Sequence, residues 1–88
     1  TVASRETLFF AEECTGILSC FCLGADITDL TLEGLHYPLN HGTLTAAFPL
    51  GVSNHFVGEA AHVTVGDGLL LLLWDRSNGL CRRSFFEV

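Results

Sequence analysis

At 88 residues the chain has room for one compact domain with one modest core, which excludes a two-domain enzyme within it. Hydrophobic residues make up 49% and charged residues 16%, too apolar for disorder and high for a small monomer, so the composition predicts a face docked against a partner. A net charge of −6, with four arginines and no lysine, excludes a nucleic-acid footprint. Phosphate backbones are held by clustered positive charge, and Arg82 and Arg83 alone are not a cluster.

The longest apolar run, Leu69 to Trp74, falls far short of the ~20 residues a membrane-spanning helix needs and reads as a buried strand of a soluble domain. The chain starts at Thr1 and contains no methionine, so it reads as a processed or excised piece of a longer protein. Cys14, Cys20, Cys22 and Cys81 show no CxxC spacing and are expected as reduced core thiols of a cytoplasmic protein.

In chain order, the first strand is predicted around Val2 to Ala11. Its Thr7 to Cys14 portion is the one stretch that could instead make two helical turns, although its phenylalanines favour a strand. A second strand covers Thr15 to Leu23, a looser one Ile27 to Leu32, and a short one Thr43 to Ala47. Ala61, Val63 and Val65 alternate with His62 and Thr64, and Gly66-Asp67-Gly68 then predicts a hairpin into Leu69 to Trp74. After a turn over Asp75 to Gly79, the last strand lies in Leu80 to Val88. Frequent glycine punctuation leaves no room for a long helix, so the fold class is all-β: a small antiparallel β-sandwich or jelly roll, one domain over residues 1–88.

The informative segments are Gly34-Leu35-His36-Tyr37-Pro38-Leu39, a spacer ending in Thr43-Leu44, then Gly51-Val52-Ser53-Asn54-His55-Phe56-Val57-Gly58, then the run from Ala61 to Trp74. In this order they resemble the thiamine-binding C-terminal domain of thiamine pyrophosphokinases, from about Thr15 to Trp74. The resemblance implies the same sandwich fold and transfer of pyrophosphate from ATP to thiamine, with Mg²⁺ and ATP held in an N-terminal nucleotide-binding domain absent from this chain. It also implies a homodimer whose active site forms between subunits. The residues agree with that division, because the chain has no P-loop, no glycine-rich phosphate cradle and no acidic cluster suited to magnesium.

Thiamine presents a flat aminopyrimidine and a cationic thiazolium, so its receptor needs an aromatic face and a few fixed polar groups. The resemblance makes Tyr37 the stacking ring, with Pro38 stiffening its backbone, and Ser53 and Asn54 the groups that bond ring nitrogens or pin the loop. Gly34 and Gly51 are expected to serve backbone geometry. His55 departs from the family pattern, where the related segment more usually reads Ser-Asn-Glu-Phe. Two alternatives stay open: a cupin-like metal-binding jelly roll using His36, His41, His55 and His62, and a non-catalytic thiamine-binding or dimerisation module.

Overall fold

The computed structural model describes residues 1–45 and 52–86. Their strands are β1 (Val2–Ala3), β2 (Glu6–Phe10), β3 (Ile17–Cys22), β4 (Ile27–Glu33), β5 (Leu39–Leu44), β6 (Val52–His55), β7 (Ala61–Val65), β8 (Leu70–Trp74) and β9 (Arg82–Phe85). Four form one antiparallel sheet in the order β1-β8-β3-β6, and five form another in the order β5-β4-β7-β2-β9. The all-β sandwich expected from the sequence is the observed architecture.

Period-two burial builds the core. Leu8 and Phe10 of β2, Leu18 and Cys20 of β3, Val63 and Val65 of β7, and Leu70 and Leu72 of β8 all turn inward, because alternate residues of a strand share one face. Burial pushes the Cys20 thiol up to about 12, so it packs as a small apolar group. Cys14 is also core, Cys22 and Cys81 are half-buried, and all four are free thiols.

The hairpin expected over Ala61 to Trp74 does not form. β7 lies between β4 and β2 in the five-stranded sheet, whereas β8 lies between β1 and β3 in the other. The turn with Gly68 at φ 89° therefore carries the chain across the core. Among the described strands, β4 and β5 are the only consecutive pair that are neighbours in one sheet. Local alternation fixes which face of a strand is buried but does not say which sheet receives it.

The single strand expected over Val2 to Ala11 is likewise two strands in different sheets, hinged where Arg5 takes φ 51°. The helical alternative for Thr7 to Cys14 is excluded by β2 and by a turn in which the Cys14 amide donates to the Ala11 carbonyl. β5 begins at Leu39, earlier than the expected Thr43, and Ala46 and Ala47 fall outside the described residues, as does the end of the last strand at Glu87 and Val88. β6 runs through a segment whose Gly, Ser and Asn read as loop.

One buried charge closes the sandwich. Glu6 points inward with 1% exposure, and Arg83 of the neighbouring β9 grips its two oxygens at 2.6 Å through Nε and 2.7 Å through Nη2. The Arg83 hydrogen bonds hold the Glu6 carboxyl below the usual carboxylate range against the opposing effect of burial, helped by the Ser4 amide, which donates to Glu6. Arg83 also reaches the Val2 carbonyl at 3.0 Å, so one guanidinium ties β9, β2 and β1 together.

Removing the guanidinium leaves a buried carboxylate unpaired, so Arg83→Met should lower unfolding free energy at neutral pH by about 2–3 kcal/mol. A depressed native pKa adds stability above the unfolded carboxylate pKa and loses it as pH falls through the native value. Urea denaturation from about pH 7 to about pH 3 should therefore show the gap between wild type and Arg83→Met closing in acid.

Candidate functional site

The segment after β4 is laid onto β6 by a short set of backbone constraints. Gly34 adopts φ 74°, and a Cβ there would run into the Ala60 carbonyl oxygen, so only glycine permits this close passage. Leu35 then pairs with Phe56 in an isolated antiparallel bridge, and the His36 amide donates to the His55 carbonyl at 2.9 Å. Beneath the bridge, Phe56 packs on Phe10 with ring centroids 5.4 Å apart, and Phe10 meets Trp74 edge to face at 5.1 Å.

Asn54 fixes the position of Tyr37. Its side chain is fully buried. Nδ2 donates to the Tyr37 carbonyl at 2.7 Å, while Oδ1 accepts from the Tyr37 amide at 2.8 Å and from the His55 amide at 3.0 Å. The asparagine amide thus holds both polar groups of one residue's backbone, and Tyr37 has no freedom to slide along β6. The tyrosine ring remains outside, 57% exposed.

Ser53 and His55 are exposed on the side of β6 opposite to Asn54. They stand across β3 residues Ser19 and Ile17. His55 lies edge to face with His36, centroids 6.0 Å apart, and His36 lies edge to face with Tyr37 at 4.5 Å. Tyr37 and Asn54 are therefore in direct contact, and three rings form a surface cluster on the face of β6 that Ser53 shares. The Ser53 hydroxyl and the Tyr37 phenol make no side-chain hydrogen bond to another described residue.

His36 was absent from the expected contact residues. It is far from His55 in sequence, and only the crossing of the Gly34 to Pro38 segment over β6 brings the rings together. Gly51, expected to serve backbone geometry, lies outside the described residues.

The histidines do not build a metal centre. His41 pairs with Asp29 at 2.6 Å and His62 with Glu33 at 3.1 Å, both on the five-stranded sheet. Among the described residues no three His, Cys, Asp or Glu side chains lie close enough together to hold an ion. Two surface hollows, of about 390 and 520 Å³, flank Trp74. Neither is lined by Tyr37, Ser53 or Asn54, which belong to the three-ring platform and its support.

The sequence profile described as "Thiamin pyrophosphokinase, vitamin B1 binding domain" matches residues 7–70, which takes in the whole Gly34 to Phe56 assembly. The chain belongs to that family. Among solved structures, thiamine pyrophosphokinase from Bacillus subtilis superimposes with a TM-score of 0.70 at 25% identity over 82% of this chain. The match spans 34% of that enzyme's chain, so the present chain corresponds to about a third of its length. No curated protein matches the sequence.

Asn54→Asp keeps the shape of the vitamin B1 binding domain's clamp but sets a carboxylate oxygen against the Tyr37 carbonyl. Leaving buried polar groups unmatched costs about 1–3 kcal/mol, so a urea titration should show a loss of that size. Ser53→Ala, on the exposed face of the same strand, should stay within about 0.5 kcal/mol of wild type.

Proposed function

We propose that this chain is the thiamine-recognising part of a thiamine pyrophosphokinase, in which the hydroxyethyl oxygen of thiamine takes the pyrophosphoryl group of ATP and AMP leaves. The observation that carries this reading is the clamp of Asn54 on the Tyr37 backbone, which presents an exposed aromatic ring at a fixed place beside the outward face of β6. Tyr37 stacks on the aminopyrimidine, Ser53 offers a free hydroxyl to its ring nitrogens, and Asn54 acts by positioning Tyr37.

Membership of the family and the likeness to the Bacillus subtilis enzyme support the assignment. This reading assigns ATP and its magnesium to a nucleotide-binding domain of the enzyme outside this chain. The compartment proposed is the cytoplasm, where four unpaired thiols stay reduced. Among the described residues no helix is long and apolar enough to cross a membrane.

The outer face of the four-stranded sheet supports an assembled enzyme. Val2, Leu73 and Ile17 are each about half exposed there, with Leu71 and Phe21 between them. The opposite outer face is polar: Glu33, His62, Phe9 and Arg82 run across four strands as a row of paired side chains, and the Thr7 and Thr64 hydroxyls bond at 3.0 Å beside it. The apolar face is the one we assign to the homodimer, which satisfies the docked surface expected from composition. Sedimentation equilibrium should show self-association that Leu73→Lys with Ile17→Lys weakens at least tenfold while the fold is retained.

Titration calorimetry tests the binding reading directly. Thiamine should bind this chain, or the same chain extended upstream, more tightly than oxythiamine, which lacks the amino group. Tyr37→Ala should weaken thiamine by about tenfold and Tyr37→Phe by much less, since stacking needs the ring. Unchanged affinity in Tyr37→Ala would sink the assignment.

A further inference from the structure

The ladder between β1 and β8 runs on past Val2. The Thr1 nitrogen donates to the Leu72 carbonyl at 3.0 Å and the Leu72 amide donates to the Thr1 carbonyl at 2.8 Å, so Thr1 and Leu72 form a hydrogen-bonded pair. On the other side of β8 the Leu23 amide donates to the Leu69 carbonyl. Alternation then turns the polar groups of Leu69, Leu71 and Leu73 towards β3, and those of Leu70, Leu72 and Trp74 towards β1. The amide and carbonyl of Trp74 thus lie in the row that holds Ala3 and Thr1, one step further along, and among the described residues no hydrogen bond takes either of them.

We propose that this step of the ladder receives an extended segment of the same polypeptide, the residues immediately preceding Thr1 in the proposed enzyme, as a continuation of β1. The inference rests on the proposed function, which joins this domain to a nucleotide-binding domain on its upstream side. β1 runs antiparallel to β8, so residues ahead of Thr1 in an unbroken strand travel towards Trp74. The first stands opposite Leu73 and the second opposite Trp74, where its own amide and carbonyl close one more hydrogen-bonded pair.

The surroundings fit a strand at that place. A hollow of about 390 Å³ lies along its path, bounded by Thr1, Leu73, Trp74, Arg76, Gly79 and Leu80. The far wall is fixed by its own hydrogen bonds. Asp75 accepts from the Ser77 amide at 2.8 Å, Trp74 Nε1 donates to the Gly79 carbonyl at 3.1 Å, and Asn78 holds both the amide and the carbonyl of Thr15, at 3.0 and 2.8 Å. Leu80 stands on that wall with 98% exposure, an apolar side chain that gains by burial under a passing backbone. The edge alongside β1 is closed to a strand instead, because Arg83 takes the Val2 carbonyl at 3.0 Å. Added in line with β1, the segment widens the outer face beside Leu73 and does not cover it.

Amide hydrogen exchange without thiamine tests the step. Rates are taken as the ratio of the Trp74 amide to the Leu72 amide, which is bonded with or without the added strand. In the enzyme extended upstream through its nucleotide-binding domain this ratio should fall at least tenfold below its value in the present chain. Proline at the second residue before Thr1 sets a ring against β8 in place of an N–H, and should return the ratio to that of the present chain with near-ultraviolet dichroism unchanged.

Equal ratios in the two proteins overturn the inference. So does protection that survives the proline, which would put another part of the enzyme on Trp74, and so does protection that grows with the concentration of the present chain, which would give the step to a second copy. Calorimetric titration of the same extended protein keeps the two readings apart. Protection without thiamine binding removes the vitamin reading alone, and thiamine binding without protection removes only the added strand.

Discussion

The geometry of the platform depends on one buried amide. An asparagine side chain fully enclosed in an apolar sandwich loses its water and must find partners inside the protein, and an unmatched amide costs on the order of 1–3 kcal/mol. Asn54 finds them in the amide and carbonyl of Tyr37 and the amide of His55. Because both polar groups of Tyr37 are taken, the segment leaving β4 has one position over β6. Gly34 is needed to let that segment pass Ala60, and the Leu35 to Phe56 bridge results from the same approach.

At the far side of the fold a second buried polar group plays a parallel part. Glu6 occupies an inward position of β2 where a leucine or valine would serve, and Arg83 neutralises it from an edge strand whose four residues are all exposed. β9 has little apolar anchorage of its own, so the ion pair and the contact of Arg82 over the Phe9 ring, 4.1 Å from its centroid, add side-chain contacts to its backbone pairing with β2. Both polar contacts act on strand position more than on net stability, since each offsets a desolvation cost of its own making.

The fold class was legible because alternation in β7, the short apolar run of β8 and closely spaced turn residues leave strands as the only economical reading. Sheet membership was not. Ala61 to Val65 and Leu70 to Trp74 carry the pattern of a hairpin, and an identical pattern serves a crossing between layers when both strands already have neighbours on each side. β6 was missed because Gly51, Ser53 and Asn54 are turn formers by type. Once Val52 to His55 is a strand, the adjacent Ser53 and Asn54 must face opposite ways, one free and one buried. Tyr37 was found through family resemblance, and its neighbours His36 and His55 came together only through the crossing of two distant segments.

The distribution of positive charge argues for the same division of labour between this domain and the rest of the proposed enzyme. Of four arginines, Arg83 is committed to Glu6 and Arg82 lies on Phe9, leaving Arg5 at a sheet corner and Arg76 in the short 3-10 turn after β8. Neither is in the sequence segments that make the platform, and the chain as a whole carries ten acidic residues. A phosphate chain has no cationic cradle here, whereas a flat ring has a fixed aromatic surface and free hydroxyl and imidazole groups. Under the proposed function the domain supplies recognition of the vitamin, and transfer of the charged pyrophosphoryl group depends on cations that the remainder of the enzyme must bring to it.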